Sequence, residues 1–234
     1  EPVVGVDVFY EELAPYGRWL EVDAHGWVWT PYGTDPFWRP YTVGRWVYTD
    51  YGWTWLSDEP WGWASYHYGR WVDHPFYGWL WVPGTVWGPA WVVWHGDADW
   101  IGWAPLPPDA IWQPDDGVRV REMPARYDWS FVPRRRFLER RLADEVVPAA
   151  RNEELLRRTV ALERVGARDG RPVSGGPEPD AVERATGRSL ERLQVVDGRT
   201  AASPQVDGGR AAFYRPRVGE VGRASCRERV SVVV

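Results

Sequence analysis

The chain has 234 residues, enough for one substantial domain or two small ones, with a net charge of −5, nineteen tryptophans, one cysteine and no lysine. The single cysteine, Cys226, excludes an intrachain disulfide and any cysteine-based zinc site. Residues 1–110 carry fourteen acidic residues against four arginines, and residues 111–234 carry nineteen against twenty-four. An acidic half argues against nucleic acid, whose phosphates need a basic footprint.

That shift, together with the confinement of seventeen tryptophans to residues 19–103, predicts three segments. They are a Trp-rich β-repeat domain at 1–110, a small α+β region at 111–197 and a disordered tail at 198–234. The tail is rich in Gly, Ala, Ser, Pro and Arg, and its end, "VGRASCRERVSVVV" (221–234), resembles translated sequencing-adapter read-through. No basic and apolar leader opens the chain, a start shared by mature exported chains and cytosolic ones. The uncharged run from Pro75 to Trp94 is interrupted by Pro83 and Pro89, so no membrane span is expected.

In chain order, the first half repeats with a period of about 26. Gly-Arg-Trp occurs at 17–19, 44–46 and 69–71, and Gly-Trp-Xaa-Trp at 26–29, 52–55 and 78–81. A third marker stands at Pro36-Phe37-Trp38 and Pro60-Trp61-Gly62. Each unit reads as a β-hairpin, because Trp and Tyr favour strands and "VDAHG" (22–26) and "YTDYG" (48–52) supply turn residues. Side chains two apart share a sheet face. The pairs Trp27/Trp29, Trp53/Trp55, Trp61/Trp63 and Trp79/Trp81 therefore each present two rings together, with the intervening glycines at 26, 52, 62 and 78 expected to leave room for a neighbouring ring. With "GPAWVVWHGDADWIGWAPL" (88–106) the units give several short strands. The predicted fold class is mainly β: an up-and-down antiparallel meander of Trp-rich hairpin repeats, followed by a small α+β region.

Further along, "DWSFVPRRRFLERRLADEVVP" (128–148) reads as a short strand and then a helix with Phe137, Leu138, Leu142 and Val146 on one side. "ARNEELLRRTVALERV" (150–165) reads as a second helix that Asn152 caps. "PDAVERATG" (179–187) is a short helix ended by Gly187, and "RSLERLQVVD" a strand.

Taken together, "YGRW" (16–19), "GRWVYTDYGWTW" (44–55), "PWGWASYHYGRW" (60–71), "YGWLWVPG" (77–84), "WAPLPP" (103–108), "FVPRRRF" (131–137), "RNEELLRRT" (151–159) and "PDAVERATGR" (179–188) carry a resemblance. Across roughly residues 6–197 the chain resembles a family of exported bacterial Trp- and Pro-rich proteins whose domain has no known function. The resemblance implies a periplasmic or extracellular location and supplies no catalytic residues. The chain departs from it at Ser174-Gly175-Gly176-Pro177, where an Asn-Arg-Gly-Pro-like turn is expected.

No nucleophile motif, phosphate-cradling loop or two-histidine metal helix is present. Asp58/Glu59 and Glu11/Glu12 are adjacent in sequence and on strands would point to opposite faces, which is poor geometry for acid–base work. His95 with Asp97 and Asp99 has donors for a divalent ion, but a polar turn between "WVVW" and "WIGW" accounts for the same residues. The expectation is therefore a protein that is not an enzyme and has no catalytic residues, metal or cofactor. Burying one indole removes roughly 150–250 Å² from water, about 4–6 kcal/mol at ~25 cal/mol/Å² as an upper bound. Seventeen clustered rings exceed what one face of a small sheet can hide: either the sheet curls so that most rings pack on each other, or an aromatic surplus is left for a partner or ligand. The expected function is structural or adhesive, through self-association or contact with an envelope protein or polymer. The alternative is a carbohydrate- or cell-wall-polymer-binding module whose ligand-binding rings are Trp27, Trp29, Trp53, Trp55, Trp79 and Trp81.

Overall fold

The computed structural model describes residues 3–5 and 7–219, the first three by backbone alone; Cys226 and the stretch 221–234 lie outside the described residues. After β1 (Val3–Gly5) and α1 (Asp7–Leu13) come four antiparallel hairpins. They are β2 (Gly17–Val22) with β3 (Gly26–Pro31), β4 (Gly44–Thr49) with β5 (Gly52–Ser57), β6 (Arg70–His74) with β7 (Gly78–Val82), and β8 (Val92–Gly96) with β9 (Trp100–Pro105). One helical turn, α2 (Gly62–Ser65), falls between the second and third. Trp61 and Trp63 therefore belong to a turn and a helix, not to the strand expected of them.

The registers explain the repeat. The tryptophan of each Gly-Arg-Trp stands opposite the second tryptophan of the following Gly-Trp-Xaa-Trp: Trp19 with Trp29, Trp46 with Trp55, Trp71 with Trp81. Trp94 and Trp103 repeat the arrangement in the fourth hairpin. Cross-strand aromatic pairs of this kind stabilise a ladder directly, and the Trp46 and Trp55 ring centroids are 4.9 Å apart. The glycine of each Gly-Arg-Trp makes room for the partner indole. A Cβ at Gly17 would collide with the Thr30 carbonyl and the Trp29 ring, at Gly44 it would lie 2.9 Å from Trp55, and at Gly69 2.8 Å from Trp81. Space for the rings thus comes from residues 17, 44 and 69. Gly26, Gly52 and Gly78, expected to give that space, instead close the hairpin turns at φ of 69°, 80° and 68°. Gly62, in α2, abuts the Ser57 side chain.

The first and third hairpins join into a sheet of order β2-β3-β7-β6, while β4–β5 stands as its own pair. Downstream are β10 (Ile111–Gln113), β11 (Gly117–Arg119), β12 (Ser130–Pro133), α3 (Asn152–Arg158), β13 (Val160–Ala161), β14 (Gly166–Arg168) and β15 (Arg171–Val173). Then follow α4 (Pro179–Thr186), β16 (Gln194–Asp197), β17 (Gln205–Asp207), β18 (Arg210–Phe213) and β19 (Arg217–Gly219). The chain is mainly β, a meander of antiparallel hairpins followed by a smaller α+β region.

Four expectations for the second half need correction. The helix expected after Val132 is absent; short 3₁₀ turns at Arg134–Arg136 and Leu142–Asp144 take its place. Phe137 and Leu142 are wholly buried, and the Phe137 ring lies 4.9 Å from that of Trp53 and 6.0 Å from that of Trp94, so tertiary packing overrides helix propensity. The helix at 152 stops at Arg158 because Val160 and Ala161 pair with β8. Asn152 does not cap it: its buried side-chain amide donates to the carbonyls of Arg126 (2.9 Å) and Trp129 (2.7 Å). The expected flexible tail forms β17, β18 and β19 as far as residue 219, with Ala211 and Phe213 packed on Leu56, Leu193 and Val195. The fourth helix agrees with expectation, and Gly187 ends it at φ 67°.

The two halves share their interior. β9 pairs with β8 on one side and β12 on the other, and Trp91, Val93 and Ala104 pack with Trp129, Phe131, Leu155 and Val165. This packing accommodates the indoles. Twelve of the nineteen tryptophans are buried, the other seven are half-buried, and none is exposed. The surplus of open rings is not found. The rings are packed edge-to-face on one another, and the second half covers what a single sheet could not.

Candidate functional site

Two of the seven half-buried indoles come together. Trp38 and Trp79 line a cleft of about 1040 Å³ with Phe37 and Tyr127, whose side chains stand largely in solvent. One wall is the connection between β3 and β4, carrying Asp35, Phe37, Trp38 and Arg39; another is the β6–β7 hairpin with Asp73 and Trp79. The segment 143–150, from Ala143 and Asp144 to Ala150, closes the third side.

The β3–β4 connection is held rigidly. Tyr41 adopts φ 62°, a conformation costly for a residue other than glycine, and its ring is buried. Its hydroxyl donates to the Tyr66 carbonyl (2.9 Å) and accepts from the Trp91 N–H (3.1 Å), while its carbonyl accepts from Trp103 Nε1 (2.9 Å). Three residues away, the Trp38 ring meets Trp61 and Trp71 edge-on, with centroids 5.8 Å and 5.6 Å apart. Its Nε1 donates to Glu59 Oε1 at 2.9 Å, and the Tyr66 hydroxyl donates to the other carboxyl oxygen. Burial pushes the Glu59 carboxyl up to about 8, despite those two hydrogen bonds. The indole is thus locked by a buried carboxyl behind it. This makes Trp38 a fixed platform.

Around the platform the charge is mainly negative. Asp35, Asp73 and Asp144 line the cleft against Arg39. Burial raises Asp73 and pushes Asp128, beside Tyr127, up to about 6, where the nearby Asp73 adds to the effect and Arg39 opposes it. Arg39 is lowered by burial, and its Nε has no hydrogen-bond partner among the described residues.

Of the six rings predicted to bind ligand, only Trp79 reaches this cleft. Trp29, Trp53, Trp55 and Trp81 are buried to within 1%. Trp29 Nε1 donates to the Leu13 carbonyl (3.2 Å), Trp53 to that of Pro177 (2.7 Å) and Trp81 to that of Tyr68 (2.7 Å). Those four are core residues, because the i, i+2 pair lies on the sheet face that the rest of the chain covers. Trp27 is half-buried and outside the cleft. Sequence reasoning missed Trp38, Arg39 and Glu59. The repeated Pro-(Phe/Trp)-(Trp/Gly) marker did single out Phe37 and Trp38 but carried no sign of their role; nothing local marks Glu59 as buried.

The His95–Asp97–Asp99 turn is structural. Asp97 Oδ1 accepts from the N–H groups of Asp99 (2.8 Å) and Trp100 (2.7 Å), Arg158 pairs with both carboxylates, and His95 Nδ1 lies 3.2 Å from the Thr159 hydroxyl. Among the described residues no group of three or more His, Cys, Asp or Glu side chains is placed to hold a metal ion. Among the same residues no helix is long and apolar enough to cross a membrane.

No curated protein and no solved structure matches the chain. Residues 10–110, which span all four hairpins and two of the cleft walls, match the model of a family described as Family of unknown function (DUF6600).

Proposed function

We propose that the protein is a non-catalytic binding module whose cleft takes a segment of a neutral or cationic carbohydrate polymer. One observation carries the reading: Trp38 and Trp79, two of the seven half-buried indoles, share an open cleft with polar groups at hand. Flat rings offer area for the apolar faces of sugar rings, and at Trp38 the entropic cost is small because that platform is already fixed. Carboxylates at 35, 73 and 144 accept from hydroxyl groups, and Arg39 donates. The cleft volume stands at the upper end of the ~300–1,000 Å³ usual for small-ligand sites, which suits more than one sugar unit. The acidic lining disfavours a polyanion. We further propose that the protein acts after export, in the periplasm or outside the cell; the motif resemblance supports this reading, and wall polymers are found there.

Co-sedimentation with insoluble polysaccharides tests the reading. Chitin, cellulose and peptidoglycan would be compared, with soluble choline as the competitor for a cation-binding cage. Retention on a polysaccharide that Trp79→Ala abolishes and choline leaves intact supports it. Retention on none of them, or release by choline, counts against it.

A further inference from the structure

A second cavity, of about 390 Å³, lies where the first and last parts of the chain meet, and its chemistry is opposite to that of the cleft. Tyr51 and Trp87 come from the aromatic half, and Arg171, Asp197 and Arg215 from the second half. Two guanidinium groups converge on one phenol oxygen: the Tyr51 hydroxyl accepts from Arg171 Nη1 at 3.5 Å and from Arg215 Nη1 at 3.3 Å. They hold one carboxylate between them. Asp197 Oδ1 is taken up by Arg215, through Nε at 2.7 Å and Nη2 at 2.6 Å. Among the described residues no carboxylate lies within ion-pair distance of Arg171.

Arg215 is fixed in place as well as paired. Its guanidinium lies 5.0 Å from the Trp87 ring centroid, and Trp87 stacks in turn on buried His67 at 5.4 Å and 11°. Burial holds His67 neutral, its pKa lowered to about 4, so the ring beneath Trp87 adds no charge, while Arg217 lines the same cavity. A cation with its counter-ion engaged, a second without one, and a phenol whose own proton has no acceptor among the described residues all face one solvent-filled space. Such a set recognises an oxyanion.

We propose that this cavity binds a phosphate group, free or as a phosphate monoester. A phosphate presents three acceptor oxygens and a charge of about −1.5 to −2 at neutral pH. It can receive from Arg171, Arg215 and the Tyr51 hydroxyl together. A carboxylate carries a single charge and its acceptor sites lie in one plane, so it meets donors arriving from three directions less well than a tetrahedral phosphate.

Titration calorimetry with inorganic phosphate at constant ionic strength, with acetate as the comparator, tests this. The expected result is saturable phosphate binding that weakens at least tenfold in Arg171→Gln and in Tyr51→Phe, with acetate at least tenfold weaker than phosphate. Arg171 is exposed, so its variant keeps the fold; an unchanged circular dichroism spectrum and thermal midpoint without phosphate would show this. Phosphomonoesters tested beside inorganic phosphate separate a free ion from a substituted one, and binding of either supports the site. No saturable binding of either, equal binding of acetate, or full binding in Arg171→Gln would overturn it.

Discussion

The sharpest consequence of the cross-strand indole pairs concerns glycines that look interchangeable in the sequence. Gly17 and Gly26 each begin a motif of the first hairpin. At Gly26 an added methyl meets nothing within 4 Å, so Gly26→Ala bears only the cost of φ 69°. That cost is about 1–2 kcal/mol for a residue with a Cβ. Gly17→Ala has the opposite character. Its methyl would run into the Thr30 carbonyl and the Trp29 ring, and the first is backbone that cannot move without opening the β2–β3 ladder. Overpacking of this kind costs about 1–3 kcal/mol. Displacing Trp29 also loosens its hydrogen bond to Leu13, a further ~1 kcal/mol. The expected total is about 2–4 kcal/mol, a fall in midpoint of roughly 4–16 °C at about 2–4 °C per kcal/mol for a chain of this size. Urea unfolding followed by tryptophan fluorescence would read both variants. Equal losses for Gly17→Ala and Gly26→Ala would refute the claim that the repeat exists to seat paired rings.

Three other outcomes follow from the same geometry. Glu59 is raised to about 8 from its ordinary value, so its contribution to stability is full below about pH 4.5 and is lost as pH rises through 8. Glu59→Gln, which keeps the shape and cannot ionise, is expected to lose less stability than the wild type between pH 5 and pH 9, and parallel unfolding curves for the two proteins would contradict this. Replacing Asn152 by Leu leaves the Arg126 and Trp129 carbonyls without their donor and is expected to cost about 1–3 kcal/mol in denaturant unfolding. Arg158→Ala removes a solvent-exposed pair to Asp97 and Asp99 and is expected to leave the unfolding midpoint within error of the wild type; a clear fall would give that turn a greater role.

How legible the molecule was from its sequence depended on the range of the interactions. The hairpins were readable because turn glycines, strand-forming rings and a fixed period act within ten residues of one another. Their bounds at 17–31, 44–57 and 70–82 follow the motif spacing closely. The fate of the rings was not readable. Whether Trp53 is open or closed depends on the Pro177 carbonyl, 124 residues away, which receives its N–H. Trp79, in the equivalent position of the next unit, has no such cover and stays half open. The same long range hid the cleft, whose walls come from three separated segments, and the strands beyond residue 204, where β18 forms on the edge of β16 and β19 on that of β1. Glu59 was missed for a related reason: beside Asp58 it reads only as one of two adjacent carboxylates, yet Tyr66 and Trp38 close over it.

The account rests on a division of labour among indoles, between those that pack and the two, Trp38 and Trp79, that line the acidic cleft. It is tested most directly by calorimetric titration of one soluble oligosaccharide, taken from whichever polymer retains the protein, against wild type, Trp79→Ala and Trp27→Ala. Saturable binding to wild type and Trp27→Ala that is lost in Trp79→Ala is the predicted result. Binding that survives without the Trp79 ring, or that disappears with Trp27 instead, would place the contact elsewhere and contradict the assignment of the cleft.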